Sequence, residues 1–318
     1  MATKFPIRDL PTGRPPSATP LFGTVVLDKW KADYDASDSA VRDRAIPELP
    51  LRASAISKRC DRALWYSLTD TPETNPADAA SQFRMMMGTM VHSLIEEALG
   101  EGQHDANGNP IGWHSEVVVD LRPAGFPGSA HADNIHYDEL ANPTVVVENK
   151  TLGGYDFKLR STEFGSGPNG PRWEHIMQPA MVAVAVNAPK FLVVYWALDA
   201  VSHDQIAKQK LPSARRVVAE WEFNTDDWRD AVAVEAARQR RILHLADTGV
   251  VVERAVSTDE IPAGAVVINP STGAWVTYSP TTGLVGQTGK YWLCGYCNHK
   301  DRCVADLEAE QDGDQYAR

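Results

Sequence analysis

The sequence predicts a mixed α/β domain, a mixed central sheet flanked by helices. Two observations carry this. A long amphipathic pattern, "PADAASQFRMMMGTMVHSLIEEAL" (76–99), leads into three short strand-like segments between 114 and 151, and a helical pattern, two strand patterns and a second helical pattern follow as far as residue 247. Elements in that order pack as a sheet with helices against its faces.

Residues 1–22 hold Pro6, Pro11, Pro15, Pro16 and Pro20 without apolar periodicity and read as an extended arm. In 76–99, Met87, Met90, Val91, Leu94, Ile95 and Ala98 recur at three- and four-residue spacing, the stripe of an amphipathic helix. "HSEVVVDL" (114–121), "GSAHADNIHYD" (128–138) and "PTVVVENKT" (143–151) are β-branched or alternating and divided by Pro, Gly and Asn, so they predict an antiparallel meander. Residues 153–172 are glycine-rich and read as a loop. "WEHIMQPAMVAVAVN" (173–187) predicts a helix, "KFLVVYWAL" (190–198) a strand buried on both faces, and "ARRVVAEWEF" (214–223) a further strand. Residues 225–247 predict a long helix opened by a capping Thr225. The Val-, Thr-, Gly- and Pro-rich stretch 250–290 suggests a β-ribbon insertion. The chain thus reads as one domain over 23–303, between the arm and a tail at 304–318.

With 318 residues, 43% of them hydrophobic, the chain can bury a sizeable core. No stretch approaches the roughly 18 consecutive apolar residues of a membrane span. The first 20 residues lack the apolar centre of a signal peptide, so a cytoplasmic protein without membrane association is expected. In a reducing compartment its four cysteines are better read as metal ligands or thiols than as disulfides. A net charge of −11 argues against non-specific wrapping of a polyanion and leaves local basic patches as the electrostatic route to nucleic acid. It accords with carboxylates gathered around divalent cations, whose charge inverts the local sign.

The chemistry-bearing residues concentrate in the meander. Glu148 and Lys150, two apart on one strand, share a face. With Asp133 on the preceding strand, two carboxylates can meet across the pair and offer hard oxygen ligands to Mg²⁺ or Mn²⁺. Lys150 would then hold the attacking water. An isolated E-x-K is more often a salt bridge on an exposed strand face; the upstream Asp, the apolar run into Glu148 and a helix histidine set this one apart. His92, on the 76–99 helix with Glu96 one turn on, is either a packed core histidine or a third metal ligand, and Gly88 permits close backbone approach just before it. Gln178 is a polar residue on an otherwise apolar helix. Lys58, Arg59, Arg62, Lys158, Arg160 and Arg172 are candidates for a phosphate path, with Trp65, Tyr66, Tyr155 and Trp173 for base stacking; scattered basic residues are otherwise a solvated face.

Cys294 and Cys297 have the spacing that lets two thiolates share a metal, Cys303 follows in a C-x5-C step, and Cys60 lies far upstream. One remote and three clustered cysteines suit a 4Fe-4S cluster at least as well as structural zinc, with buried thiols as the third reading. Either metal would staple the two ends of a long loop.

The set "GTMVH", "GSAHAD", "VENKT", a downstream helical Gln, and one cysteine plus C-x2-C-x5-C resembles the RecB-like branch of the PD-(D/E)XK nuclease superfamily. More narrowly it resembles that branch's iron–sulfur exonucleases, such as CRISPR-associated adaptation nucleases, the nuclease domains of AddB-type helicases and related bacteriophage proteins. The resemblance runs from Cys60 to Cys303. It implies a restriction-endonuclease-like core with an iron–sulfur-stapled helical region. It also implies that His92, Asp133 and Glu148 bind Mg²⁺ or Mn²⁺, with the Asn149 carbonyl adding a ligand, and that Lys150 is the catalytic lysine. Gln178 matches the family's Q-x-x-x-Y glutamine, with Val182 where the tyrosine is expected. Cys60, Cys294, Cys297 and Cys303 would ligate a structural 4Fe-4S cluster, zinc being the alternative, and Glu116 stands as an accessory acid. The implied activity is metal-dependent exonuclease action at DNA ends, with single strands among the substrates, in recombination, replication or defence; the implied partners are DNA and either further copies of the chain or a recombination or replication protein. The rival reading is a silent DNA-binding or adaptor subunit.

Overall fold

A strand of ten residues, Pro143–Leu152, organises the molecule. Val145, Val146 and Val147 are all buried although successive side chains leave a strand on opposite faces, so both faces of the sheet are covered here. The computed structural model describes residues 32, 49–54, 60–161, 170–199, 217–252, 266–268, 275–277, 297–306 and 309. Strands are numbered β1 (Leu51–Arg52), β2 (Gln103–His104), β3 (Pro110–Asp120), β4 (Gly128–Tyr137), β5 (Pro143–Leu152), β6 (Lys190–Ala197) and β7 (Val218–Asn224). Helices are α1 (Asp61–Leu68), α2 (Ala79–Leu99), α3 (Gly154–Ser161), α4 (Trp173–Val186) and α5 (Arg229–Asp247).

The seven strands form one mixed sheet in the order β2-β3-β4-β5-β6-β7, with β1 parallel to the start of β4. β3, β4 and β5 are the expected antiparallel meander; β6 runs parallel to β5 after a crossover carrying α3 and α4, and β7 returns antiparallel. Phe126, Ile135, Phe157, Met177, Met181, Phe191 and Tyr195 are fully buried in the core that joins α4 and α5 to the sheet. α1 is tied to α5 by Asp61, which accepts from both Arg238 and Arg241. No helix among the described residues is long and apolar enough to cross a membrane.

α2 begins where Asp78 caps it, its carboxylate accepting from the Ser81 N–H at 2.8 Å. Two sequence expectations need correction. Part of the glycine-rich 153–172 stretch is the helix α3; Gly154 starts it with its N–H donating to Asp199, and a Cβ there would run into that carboxylate. Thr225 is buried and its side chain caps nothing: α5 is preceded by a 3₁₀ turn at Asp226–Trp228 and starts at Arg229. Within 250–290, residues 266–268 and 275–277 pair as an antiparallel two-stranded ribbon, β8 and β9. The arm at 1–22 and the tail beyond 309 lie outside the described residues.

Candidate active site

The ladder between β4 and β5 runs from Tyr137↔Pro143 to Asn134↔Val147 and goes no further. Beyond it, the Asn149 N–H donates to the Asp133 carboxylate at 2.6 Å, so a side chain takes over where a main-chain carbonyl would have paired. On the other side of Asp133, β3 carries Glu116 in a left-handed conformation, φ 51°, unusual for a residue with a side chain. From above the sheet, His92 of α2 places Nδ1 3.8 Å from Asp133 Oδ1 and Nε2 3.2 Å from the Asn149 carbonyl. Gly88, one turn earlier, lets α2 come close to β5; a Cβ there would sit 3.3 Å from Thr151 Oγ1.

His92, Glu116 and Asp133 offer one ligand atom each within 4.8 Å of one another. Two carboxylates and an imidazole at that spacing fit a small, hard divalent cation. Glu148 falls outside this group. It is 2% exposed and its carboxylate accepts from the Lys150 ammonium. Burial, then the Asp133 carboxylate, raises the Glu148 pKa, and Lys150 pulls the other way. For Lys150, burial works against the ammonium, but Glu148 and Asp133 outweigh it and hold its pKa above the ordinary value.

Behind these acids a polar chain crosses four strands. Asn134 donates to Ser115 Oγ at 2.8 Å, Asn149 to Asn134 Oδ1 at 2.8 Å, and the Trp196 indole to Asn149 Oδ1 at 2.9 Å. Ser115, Asn134 and Asn149 adjoin Glu116, Asp133 and Glu148 in sequence, so the chain fixes the register that aligns the three acids. Satisfied networks of this kind rigidify a site.

The site opens onto a cleft of about 1320 Å³. One wall is a single face of α2, Ser81, Arg84, Met85, Gly88, Thr89 and His92, at the three- and four-residue spacing of a helix. Facing it are Lys150 and Thr151 of β5 with Arg172 and His175 at the start of α4, and the end is closed by Cys297, Asn298 and Lys300. Pro179, inside α4, has no N–H for the His175 carbonyl. His175 Nδ1 lies 2.8 Å from the Tyr195 hydroxyl. Burial first, then Lys150, Arg172 and Arg160, pushes the His175 pKa well below its ordinary value, and burial pushes Tyr195 up to about 12.

The other expected residues are placed less uniformly. Arg172 reaches the cleft, held by Asp156. Arg62 and Arg160 do not fit a phosphate path: Arg62 is 2% and Arg160 5% exposed, and Arg160 braces Asp156 and the Gly170 carbonyl. Gln178 is half-buried on α4 and is not among the cleft's lining residues. Arg59 and the side chains of Tyr155 and Lys158 lie outside the described residues, as does Cys294. Cys60 stands at the N-cap of α1 and Cys303 in the helical stretch 300–306; with Cys297 they are half-buried and form no group like that of His92, Glu116 and Asp133. Arg84, His175 and Lys300 were not singled out in the sequence, because nothing in their own segments announces a shared cleft.

No family model matches the chain, and no curated protein matches it. Among solved structures, SSO0001 is 17% identical at a TM-score of 0.39, over 69% of this chain and 86% of that one. The alkaline exonuclease LHK-Exo from Laribacter hongkongensis is 17% identical at a TM-score of 0.36, over 64% of this chain and 95% of that one; its complex with dAMP gives the same score over 64% and 94%. At such values the site has to be read from its own geometry.

Proposed function

We propose that the chain is a metal-dependent deoxyribonuclease that hydrolyses phosphodiester bonds at DNA ends, single strands included, in DNA recombination, replication or defence. The observation that carries this is the convergence of His92, Glu116 and Asp133 within 4.8 Å of one another beside the Lys150–Glu148 pair, at the side of a cleft walled by cations. His92, Asp133 and Glu116 would hold Mg²⁺ or Mn²⁺, with Glu148 and the Asn149 carbonyl as further oxygen donors. When bound, such a cation draws charge from the scissile phosphate and makes a water more acidic. Lys150 orients the attacking water for in-line approach to phosphorus, and Glu148 holds its ammonium in place. Arg172 offers its guanidinium to a phosphate oxygen.

Cys60, Cys294, Cys297 and Cys303 are read as ligands of a 4Fe-4S cluster, zinc being the alternative. In support, residues 297–306 dock on the helix that Cys60 caps: the Tyr66 hydroxyl donates to Asp306 at 2.7 Å, and His299 is buried against the Tyr66 ring. Its role would be structural, and a homo-oligomer or a recombination or replication partner completes the expected setting.

The test is incubation of anaerobically purified protein with end-labelled linear single- and double-stranded DNA and with a closed circle, in Mn²⁺ or in EDTA, beside Lys150→Ala. Metal-dependent loss of the linear substrates, abolished in the variant, is the expected result. No cleavage by well-folded, metal-loaded protein would overturn it in favour of a silent DNA-binding subunit.

A further inference from the structure

The cleft continues well past the metal-ligating cluster. From His92 to Ser81 its α2 wall rises about 16 Å along the helix axis. A mononucleotide-sized ester engaged by Lys150 and the cluster would leave that length unused. About 12 Å along the axis from His92 the wall carries Arg84, and the chain segment that closes the cleft carries Lys300.

These two cations differ from the others in the cleft. Arg172 is engaged by Asp156 and Lys150 by Glu148. Among the described residues neither Arg84 nor Lys300 is in an ion pair, and both are exposed. The backbone that presents Lys300 is nevertheless fixed. The Asn298 carbonyl accepts from the Thr74 and Asn75 N–H groups at 2.8 Å each, and the Asn75 side chain exchanges hydrogen bonds with Asp301 at 3.0 Å in both directions. Thr74 and Asn75 lie just before Asp78, the cap of α2, so Lys300 is held at the same end of the cleft as Arg84. The one carboxylate in the lining, Asp78, accepts from the Ser81 N–H, and it is close enough to Arg84 for that guanidinium to help hold its pKa below the ordinary value, after the Ser81 hydrogen bonds. With Lys150 and Arg172 each held by a carboxylate, Arg84 and Lys300 are the cleft cations left without an ion pair among the described residues.

We propose that Arg84 and Lys300 form a second phosphate-binding point towards the far end of the cleft, so that the substrate is a polynucleotide strand gripped at its backbone about 12 Å along the α2 axis from the metal-ligating cluster. This rests on the nuclease reading and names what its site holds. Contacts of this kind set affinity and register and leave the chemical step untouched.

The experiment measures binding by fluorescence anisotropy, in EDTA, of a labelled oligothymidylate about 12 nucleotides long, within the span of single-strand grooves, across a series of salt concentrations. Wild type is compared with Arg84→Ala, Lys300→Ala, the double variant and, as control, Lys190→Ala, whose side chain pairs with Glu222 at the opposite end of β6. Each cleft variant is expected to weaken binding about fivefold and to reduce the slope of log K against log salt by about 0.7, the value of one single-strand phosphate contact. The double variant should lose twice that slope and the control none. All should hydrolyse the p-nitrophenyl ester of thymidine monophosphate at the wild-type rate in Mn²⁺. Wild-type slopes in both cleft variants, with the ester cut normally, would overturn the second phosphate point and leave the nuclease standing. Failure of the wild type both to bind the strand and to cut the ester would overturn both.

Discussion

At Glu116 the main chain turns left-handed in the middle of an eleven-residue strand, and the side chain so aimed joins His92 and Asp133. Such a conformation costs a non-glycine residue of the order of 1–3 kcal/mol and persists where surrounding structure enforces it. Glu116→Gly should therefore keep or raise the melting temperature while weakening Mn²⁺ binding at least about tenfold by calorimetric titration; unchanged Mn²⁺ affinity would remove Glu116 from the site. His175 gives a pH-dependent prediction. Its pKa is depressed in the folded chain, so the unfolded chain binds the extra proton first, near the ordinary value of about 6.5. Stability is then full above that pH and falls as pH drops below it, towards the folded value. His175→Gln should flatten the decline of melting temperature between about pH 7 and pH 5, and an unchanged slope would place the proton elsewhere. The pairing of Glu148 with Lys150 beside Asp133 was legible because their strands have a clear pattern and their spacing carries meaning; that Glu116 and not Glu148 stands with His92 and Asp133 was not. Nor was His175, since Lys150 and Tyr195 reach it from two other segments, the strands β5 and β6.

Among the elements, α2 and the meander were readable because period and turn residues agree over many positions. α3 was hidden by composition: Gly153 and Gly154 look like loop, and only the tertiary contact with Asp199 explains why a glycine begins the helix. The Thr225 reading failed because a capping residue followed by apolar periodicity also fits a buried threonine ahead of a 3₁₀ turn. For α2, the decisive feature is how near it lies to β5. At Gly88 a methyl group would already be tight against Thr151, and a branched side chain has no room. Gly88→Val should keep helical content yet push α2 away, separating His92 from Asn149 and Asp133. Mn²⁺ affinity should fall about tenfold or more, the scale seen when a ligand's support is lost; unchanged affinity would mean that the approach is not what positions His92.

Across the whole molecule, the stretch 297–306 clasps α1 and the 72–75 turn, more than two hundred residues upstream in sequence. Tyr66 anchors it: burial and the bond to Asp306 raise the phenol's pKa, so the hydroxyl stays protonated and donating. Tyr66→Phe should cost about 1 kcal/mol and speed amide exchange across 297–303 without altering exchange in β4 and β5. Equal protection in both proteins would mean that the segment is held by something else. The cysteine spacing pointed to a link between these distant parts, but the turn that receives the segment has no sequence mark of its own.

That clasp also sets an order in time. Residues from the vicinity of Asp61 to Leu152 leave the ribosome many seconds before Lys300 does, at about 5–20 residues per second. The acids of the sheet can therefore be assembled while the cleft still lacks its far wall. A chain still being translated would hold these acids in place before the segment 297–306 is there to close the cleft.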